Sequence, residues 1–544
     1  MRIKQFNNSN WHYLLIGLTG VITHGLILLN DGVYFDGWII LNFIKGKDWA
    51  GLSNQFQEGG GILAGYLHWF LGHFPNIIFG YHLVAFVCIV SSGLLIYQIA
   101  RLSGFVSREE SLLLSLISLT YPAFQVGFEL IILPYVASYS IFFLAVLLAL
   151  WAEKMKKPAH YGLRLSAIVC FLVSFSINSL LVFYFGFLVL LVMFVRRMQS
   201  LSLREMLPHF LLRHLDYVFL PFLYWVIKEI AFPRHGLYIN YNRFTFSPFA
   251  WIISLASFLY NGIFNQFNAA LRELLNLPAL AFFGILGILG MIRYFRGAFI
   301  HQSAKPSALL GYGISLIGLG VFPYVVVGKM AGLTGWSTRH SLLLALPVAL
   351  VIVAITRLLF SVPKAGLSRS GWILLTMLIL GFGLTMASNY LDWQARWVKD
   401  RSLMVNLGKL DGANKYSVYW VNDQYLLGGE SYYRFYEWSS LFKRVWGDET
   451  RIGFDQRHST PKLLADYKPF FNKRYNLGGF DPAGQQATLS IRRGKAEYST
   501  IELVARYFYY RFLRQKRLSD FLADVTQVQV QQLPPPLEQN YRQP

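Results

Sequence analysis

The sequence predicts a polytopic α-helical membrane protein with a C-terminal α+β extracytoplasmic domain. Hydrophobic residues make up 55% of its 544 residues and charged residues only 14%, whereas a soluble domain carries about 25% charged residues. Apolar runs of about 16–24 residues recur through the first part of the chain, and this length crosses a bilayer as a helix. After Asp392 the chain becomes polar and aromatic, which indicates a separate folded region.

The apolar runs predict about 11 spans. They lie near 11–29, 77–100, 111–130, 135–152, 165–177, 179–195, 215–231, 277–292, 307–327, 341–356 and 372–390. Residues 250–276 form either an outer amphipathic segment or one further span. In the second case every later segment changes sides.

Basic residues cluster in four loops that this span count places on one side of the membrane. The positive-inside rule makes that side cytoplasmic. The cations are Lys154, Lys156, Lys157 and Arg164; Arg196, Arg197, Arg204 and Arg213; Arg293, Arg296 and Lys305; and Arg357, Lys364 and Arg369. We therefore expect a plasma (inner) membrane protein with a cytoplasmic N-terminus and an outer C-terminal domain.

Three regions follow from this pattern. Residues 1–390 form a membrane domain, in which the outer loop 31–76 carries short juxtamembrane amphipathic helices. Residues 391–525 form the extracytoplasmic α+β domain, with strand-like stretches at 416–421 and 487–491. Residues 526–544 contain a proline run and are expected to be a disordered tail.

The composition also excludes several classes of function. The net charge of +21 does not indicate a nucleic-acid partner, because the positive charge falls mostly in short loops between apolar runs. Cys88 and Cys170 both lie inside apolar runs, so neither a disulfide framework nor a zinc site is expected. We expect no metal site and no cofactor from the residues themselves.

Two acids just beyond the first span are the candidate catalytic residues. Asp31 and Asp36 lie in a stretch rich in aromatic residues, in a region where carboxylates are scarce. An acid beside a bilayer is costly unless it is solvated, paired or functional. Glycosyl transfer to a hydroxyl needs one carboxylate to accept the proton of the acceptor. The alternative is that both acids are helix caps or solvated loop residues.

Cations near the outer ends of later spans are candidates for holding a phosphate. Arginine can bind phosphate with two parallel hydrogen bonds. The alternative is that these side chains extend to the membrane interface, as is common at span ends. The candidates are Lys329, Arg339, His340, Arg234 and Arg243.

The aromatic run 432–438 in the C-terminal region has two interpretations. Its rings could stack on sugar faces near an active site. They are more simply explained as core residues, since a small domain needs its aromatic side chains to bury enough area. The sequence favours the second interpretation.

Several segments resemble the GT-C superfamily of integral-membrane glycosyltransferases, which includes protein O-mannosyltransferases and the lipid A aminoarabinose transferase. Residues 81–104 and the following run to Tyr121-Pro122 are similar to the second and third spans of that family. The segment 339–344, followed by Pro347, resembles its Arg-Tyr-Leu-Leu-Pro segment. The chain departs from the family at the acids, because Asp31 is followed by glycine and not by a second acid.

This resemblance implies a polyprenyl-phosphate sugar donor, a glycan, lipid or protein acceptor, contact with membrane lipid, and transfer with inversion at the sugar carbon. Most members need no metal ion, although some use a divalent ion. Either acid is then the general base. Two other classes stay open: a transporter or flippase of lipid-linked glycans, and an envelope assembly protein.

Overall fold

Helices dominate the described part of the protein. The computed structural model describes residues 2–200, 202–239, 243–276, 284, 304–362, 366–427, 433–456, 479–481 and 484–533. Its helices are α1 (Arg2–His24), α2 (Leu26–Leu29), α3 (Gly37–Lys45), α4 (Trp49–Gln57), α5 (Ile62–Leu71), α6 (Ile77–Ser103), α7 (Arg108–Thr120), α8 (Leu133–Ala152), α9 (Ala159–Ser174), α10 (Asn178–Gln199), α11 (Leu203–Arg213), α12 (Leu215–Ala231), α13 (Pro248–Ser257), α14 (Asn265–Asn276), α15 (Pro306–Val325), α16 (Ala345–Phe360), α17 (Arg369–Lys409), α18 (Phe435–Trp446), α19 (Thr500–Leu513) and α20 (Leu518–Val525).

The strands form two sheets of different size. A two-stranded antiparallel sheet pairs β1 (Ser361–Val362) with β2 (Gly366–Leu367). A four-stranded sheet has the order β4-β3-β5-β6, and its strands are β3 (Val418–Asp423), β4 (Ile452–Asp455), β5 (Gln486–Arg493) and β6 (Thr526–Gln532). Strand β3 is parallel to both neighbours, and β6 pairs antiparallel with β5. The strands predicted at 416–421 and 487–491 are therefore confirmed.

Within the described residues, six helical segments are long and apolar enough to cross a membrane. They are Ile77–Ser103, Leu130–Ala152, Asn178–Gln199, Pro306–Val325, Gly335–Phe360 and Arg369–Lys409. The bent pair formed by α11 and α12, with an angle of 57°, makes a seventh if it is one span. The predicted number of about 11 is not confirmed, and the predicted span 277–292 lies outside the described residues apart from residue 284.

The predicted span 111–130 is wrong. Helix α7 has 13 residues and ends at Thr120, which gives it a length of about 20 Å at about 1.5 Å per residue. Pro122 disfavours helical geometry at the residue before it, so the chain leaves the helix at Tyr121. The apolar residues that follow are buried inside the protein, and a hydropathy pattern does not separate that burial from contact with lipid.

The basic loops meet at one end of the helices, as their pattern predicts. The Arg164 guanidinium forms a 2.5 Å ion pair with Asp216 near the start of α12. At the same end Arg357 pairs with Glu110 at 3.2 Å, and the Ala304 N–H donates to the Phe105 carbonyl at 2.7 Å. Three cations of the prediction, Arg293, Arg296 and Lys364, lie outside the described residues.

Helix α17 joins the membrane helices to the C-terminal domain. Its 41 residues run without a break through residue 390, where the domain boundary was predicted. At about 1.5 Å per residue it is about 60 Å long, twice the hydrocarbon thickness of about 30 Å. Trp393 and Trp397, in its second half, are buried in one core with the first outer loop and the four-stranded sheet.

The disordered tail predicted from residue 526 is wrong for its first part. Residues 526–532 form strand β6, which pairs along its whole length with β5. Its polar, glutamine-rich sequence is compatible with an edge strand that is half exposed. Residues 534–544 of the predicted tail lie outside the described residues.

Candidate active site

The two predicted acids lie in the short segment between α2 and α3. Several hydrogen bonds fix this segment: the Asn30 side chain accepts from the Gly32 N–H at 2.7 Å, and the Tyr34 hydroxyl donates to the Trp393 carbonyl at 2.7 Å. Phe35 has a positive φ of 44°, which is uncommon outside glycine and turns the chain into α3. Asp36 is therefore the residue directly before that helix.

A buried glutamate holds the strained turn. Glu437 in α18 accepts the Phe35 N–H at 3.0 Å and the Arg396 guanidinium at 2.6 Å, both on Oε1. The side chains of Arg396 and Glu437 are each only 1% exposed. The position of Asp36 therefore depends on an ion pair between α17 and α18.

Asp31 is bound to the C-terminal domain through both carboxylate oxygens. The Tyr507 hydroxyl lies 2.9 Å from Oδ2 and 3.1 Å from Oδ1. Arg511 approaches Oδ1 at 3.1 Å, and Arg401 approaches Oδ2 at 3.5 Å. Burial, and next the charge of Asp31, raise the pKa of Tyr507, so its hydroxyl keeps the proton that it donates. Asp31 therefore has the contacts of a structural anchor.

Asp36 has fewer partners, and they are different residues. The Tyr436 hydroxyl donates to its Oδ1, and Arg434 lies 3.7 Å from the same oxygen. Burial, followed by the charge of Asp36, raises the pKa of Tyr436 well above its usual value. In the part of the chain that the structure describes, Tyr436 and Arg434 both contact Oδ1 of the carboxylate, and the side chain is 26% exposed. Its Oδ2 is thus available to a ligand.

An indole connects Asp36 to one of the predicted phosphate-binding cations. The guanidinium of Arg339 lies 4.4 Å from the centre of the Trp336 ring, and that of Arg434 lies 6.0 Å from it. The ring of Trp336 also packs on Phe35, with centres 5.4 Å apart. Two guanidiniums therefore lie at one aromatic ring, and the Asp36 carboxylate lies 3.7 Å from one of them. Their formal charges sum to +1, which suits an anionic ligand.

The other predicted cations contact residues other than Asp36 and Trp336 in the described part of the chain. Lys329 follows α15, and its carbonyl accepts from Ser254. The Nδ1 of His340 donates to the Met330 carbonyl at 2.8 Å. Arg243 is exposed in the segment before α13. Arg234 lies beside the turn between α4 and α5. The N–H of the following residue, His235, donates to the Glu58 carbonyl in that turn at 3.2 Å.

Sequence reasoning missed the partners of both acids. Arg434 and Tyr436 belong to the aromatic run at 432–438, for which the core interpretation was favoured. That interpretation is confirmed for Tyr433, Tyr436 and Trp438, which are buried, whereas residue 432 lies outside the described residues. The signal available in the sequence was one arginine in a run of aromatic residues, and nothing in the sequence paired Arg434 with Asp36, which lies about 400 positions earlier.

Comparisons with known proteins identify no similar protein. No family model, no curated protein and no solved structure matches the chain. Within the described residues, no group of three or more His, Cys, Asp or Glu side chains is placed to hold a metal ion.

Proposed function

We propose that the chain is a GT-C-type membrane glycosyltransferase, which moves a sugar from a polyprenyl-phosphate donor to an acceptor hydroxyl at the outer face of the membrane. The observation that carries the proposal is that Arg339 and Arg434 both lie at the Trp336 ring and that Asp36 lies beside Arg434. It combines a partly exposed carboxylate with two cations and a stacking surface. These are the groups that transfer from a lipid phosphate requires.

Asp36 is the general base in this proposal. The acceptor oxygen attacks the sugar carbon, the bond from that carbon to the phosphate oxygen breaks, and the acceptor proton passes to Oδ2 of Asp36. Attack from the face opposite the leaving group inverts the configuration of the carbon. Asp31 is less suited to this role, because both its oxygens already accept from Tyr507, Arg401 or Arg511.

Arg339 and Arg434 hold the phosphate of the donor. Their guanidiniums lie 4.4 and 6.0 Å from the centre of one ring, and arginine binds a phosphate through charge-assisted hydrogen bonds. The lipid phosphate leaves with an additional negative charge as the bond to the sugar breaks, so these cations stabilise the product side of the reaction. Lys329 and His340 lie in the same stretch of the sequence as Arg339.

The test is sugar transfer by the purified chain in proteoliposomes that contain a polyprenyl-phosphate sugar and a labelled acceptor. We expect Asp36→Asn to lower turnover by about 10²–10⁴-fold, the usual effect of losing a positioned base. Arg339→Gln should raise the KM for the donor. Normal turnover of Asp36→Asn would refute the assignment of the base.

Asp31→Asn is the matched control, because it makes the same chemical change one short segment away. We expect it to weaken the docking of α19 and to leave the rate of transfer far closer to that of the wild type. Loss of transfer in Asp31→Asn alone would reverse the roles of the two acids. Movement of the labelled lipid across the membrane with no glycosidic product would favour the transporter class.

A further inference from the structure

A basic cavity of about 770 Å³ opens at the end of the helices opposite Asp36. It lies between the α8–α9 connection and the start of α12, and its lining includes Lys156, Lys157 and Arg164. The helical segment Leu130–Ala152 begins beside Gly37 and ends next to this cavity. With 23 residues, that segment is about 35 Å long at about 1.5 Å per residue. The cavity is therefore separated from the candidate active site by a full membrane thickness.

The cations of the cavity divide into two groups. Arg164 is held by Asp216 at 2.5 Å and by Glu153 at 3.7 Å, and Arg213 lies 3.7 Å from Glu153. These ion pairs build a fixed wall in which most of the charge is already compensated.

Lys156 and Lys157 belong to the second group. Both are exposed in the loop before α9. In the described part of the chain neither forms an ion pair, and the ammonium of Lys157 lies 5.4 Å from the centre of the Tyr161 ring. The formal charge of the lining, with its histidine neutral, is positive, so the cavity attracts an anion to these two ammonium groups.

The other side of the cavity is apolar and continues along a helix. Leu165 and Ile168 line it, and the Leu165 side chain is 64% exposed. The neighbouring helix turns expose Val169, and α12 exposes Phe219 and Leu223. A soluble phosphate would leave this apolar surface in water. A lipid would place its acyl chains against it while its headgroup reached the lysines.

We propose that this cavity binds the phosphate headgroup of an anionic glycerophospholipid, with Lys156 and Lys157 as the cations that hold the phosphate. The paired wall of Arg164 and Asp216 sets the shape of the cavity, and α9 supports the acyl chains. This site is independent of the proposed glycosyl transfer, because it lies at the opposite end of the helices.

The test uses the full chain purified in a mild detergent and native mass spectrometry with phosphatidylglycerol and phosphatidylcholine that carry the same acyl chains. We expect phosphatidylglycerol to be retained preferentially. Lys156→Gln/Lys157→Gln should weaken its binding about 30-fold, the effect of removing two cations near an anionic headgroup. Both lysines are exposed, so the thermal midpoint of this variant should equal that of the wild type.

The matched control is Lys154→Gln/Lys305→Gln, which removes the same charge at the same end of the helices. Lys154 lies over the Phe194 ring and Lys305 is exposed, and neither lines the cavity. Binding by this control should stay close to that of the wild type. Equal losses in the two variants, equal retention of the two lipids, or equally tight binding of glycerol 1-phosphate without a lipid would each overturn the proposal.

Discussion

The ion pair between Arg396 and Glu437 should be among the most sensitive points of the molecule. Both side chains are 1% exposed and their charged atoms are 2.6 Å apart. Glu437→Gln keeps an oxygen for the Phe35 N–H but leaves the guanidinium buried without its main counter-charge. Removing one partner of a buried pair costs about 3–5 kcal/mol, a large share of a total stability of about 5–15 kcal/mol.

The free energy of unfolding can be measured in mixed detergent micelles by tryptophan fluorescence. Trp393, Trp397 and Trp438 are all buried near the pair and report on its surroundings. Glu502→Gln is the matched control, because Glu502 pairs with Arg506 at 2.9 Å on an exposed helix surface. A pair of that kind on an exposed surface contributes little to stability, because water and salt screen it.

A second variant separates the charge from the shape of the side chain. Arg396→Met combined with Glu437→Gln removes both charges, so no guanidinium is left without its partner. We expect this double variant to be more stable than Glu437→Gln alone. The reasoning would be refuted if Glu437→Gln cost no more than Glu502→Gln, or if the double variant lost the sum of the two single effects.

Three further predictions concern topology, pH and the donor. The topology test uses a variant without the two native cysteines. In it, a cysteine placed at Ser499 should react with an impermeant thiol reagent from outside, and a cysteine placed at Ala159 should not. Labelling of both cysteines from one side would contradict the proposed orientation. Burial lowers the pKa of His68 to about 3 in the folded state. The same histidine in the unfolded chain has its ordinary pKa near 6.5. Between these two pH values the unfolded chain therefore binds a proton that the folded protein does not. The free energy of unfolding should therefore fall as the pH drops from about 6.5 towards 3, and His68→Asn should flatten that dependence in a pH series of unfolding curves. Trp336→Ala should raise the donor KM about tenfold in steady-state kinetics, since each cation–π contact is worth about 0.5–1 kcal/mol, and an unchanged KM would argue against the site.

Hydropathy predicted those helices whose whole length is apolar. The predicted runs 77–100, 179–195 and 307–327 correspond to α6, α10 and α15 with ends that differ by a few residues. The same signal was wrong at 111–130, because an apolar residue looks alike whether it faces lipid or other side chains. Hydropathy also did not predict that α17 continues past residue 390, because the second half of that helix is buried by protein and carries charged residues.

The candidate site could be predicted only in part, because its residues lie far apart in the sequence. The sequence identified Asp36 and Arg339 because a charge beside an apolar run is rare and conspicuous. It did not identify Arg434, which lies in a domain where charged residues are common. Only the folded chain brings Arg434 and Tyr436 to the acid, through contacts between positions about 400 residues apart.

That separation has a consequence for how the molecule is made. A ribosome adds about 5–20 residues per second, so about 20–80 s pass between the synthesis of Asp36 and that of Arg434. During this interval Asp36 has already been synthesised, but Arg434 and the ion pair that fixes its turn do not yet exist. We expect a nascent or truncated chain that ends before residue 434 to insert its helices and to remain inert. If the proposed function is correct, synthesis of the region that contains Arg434 and Glu437 therefore determines when the protein becomes active.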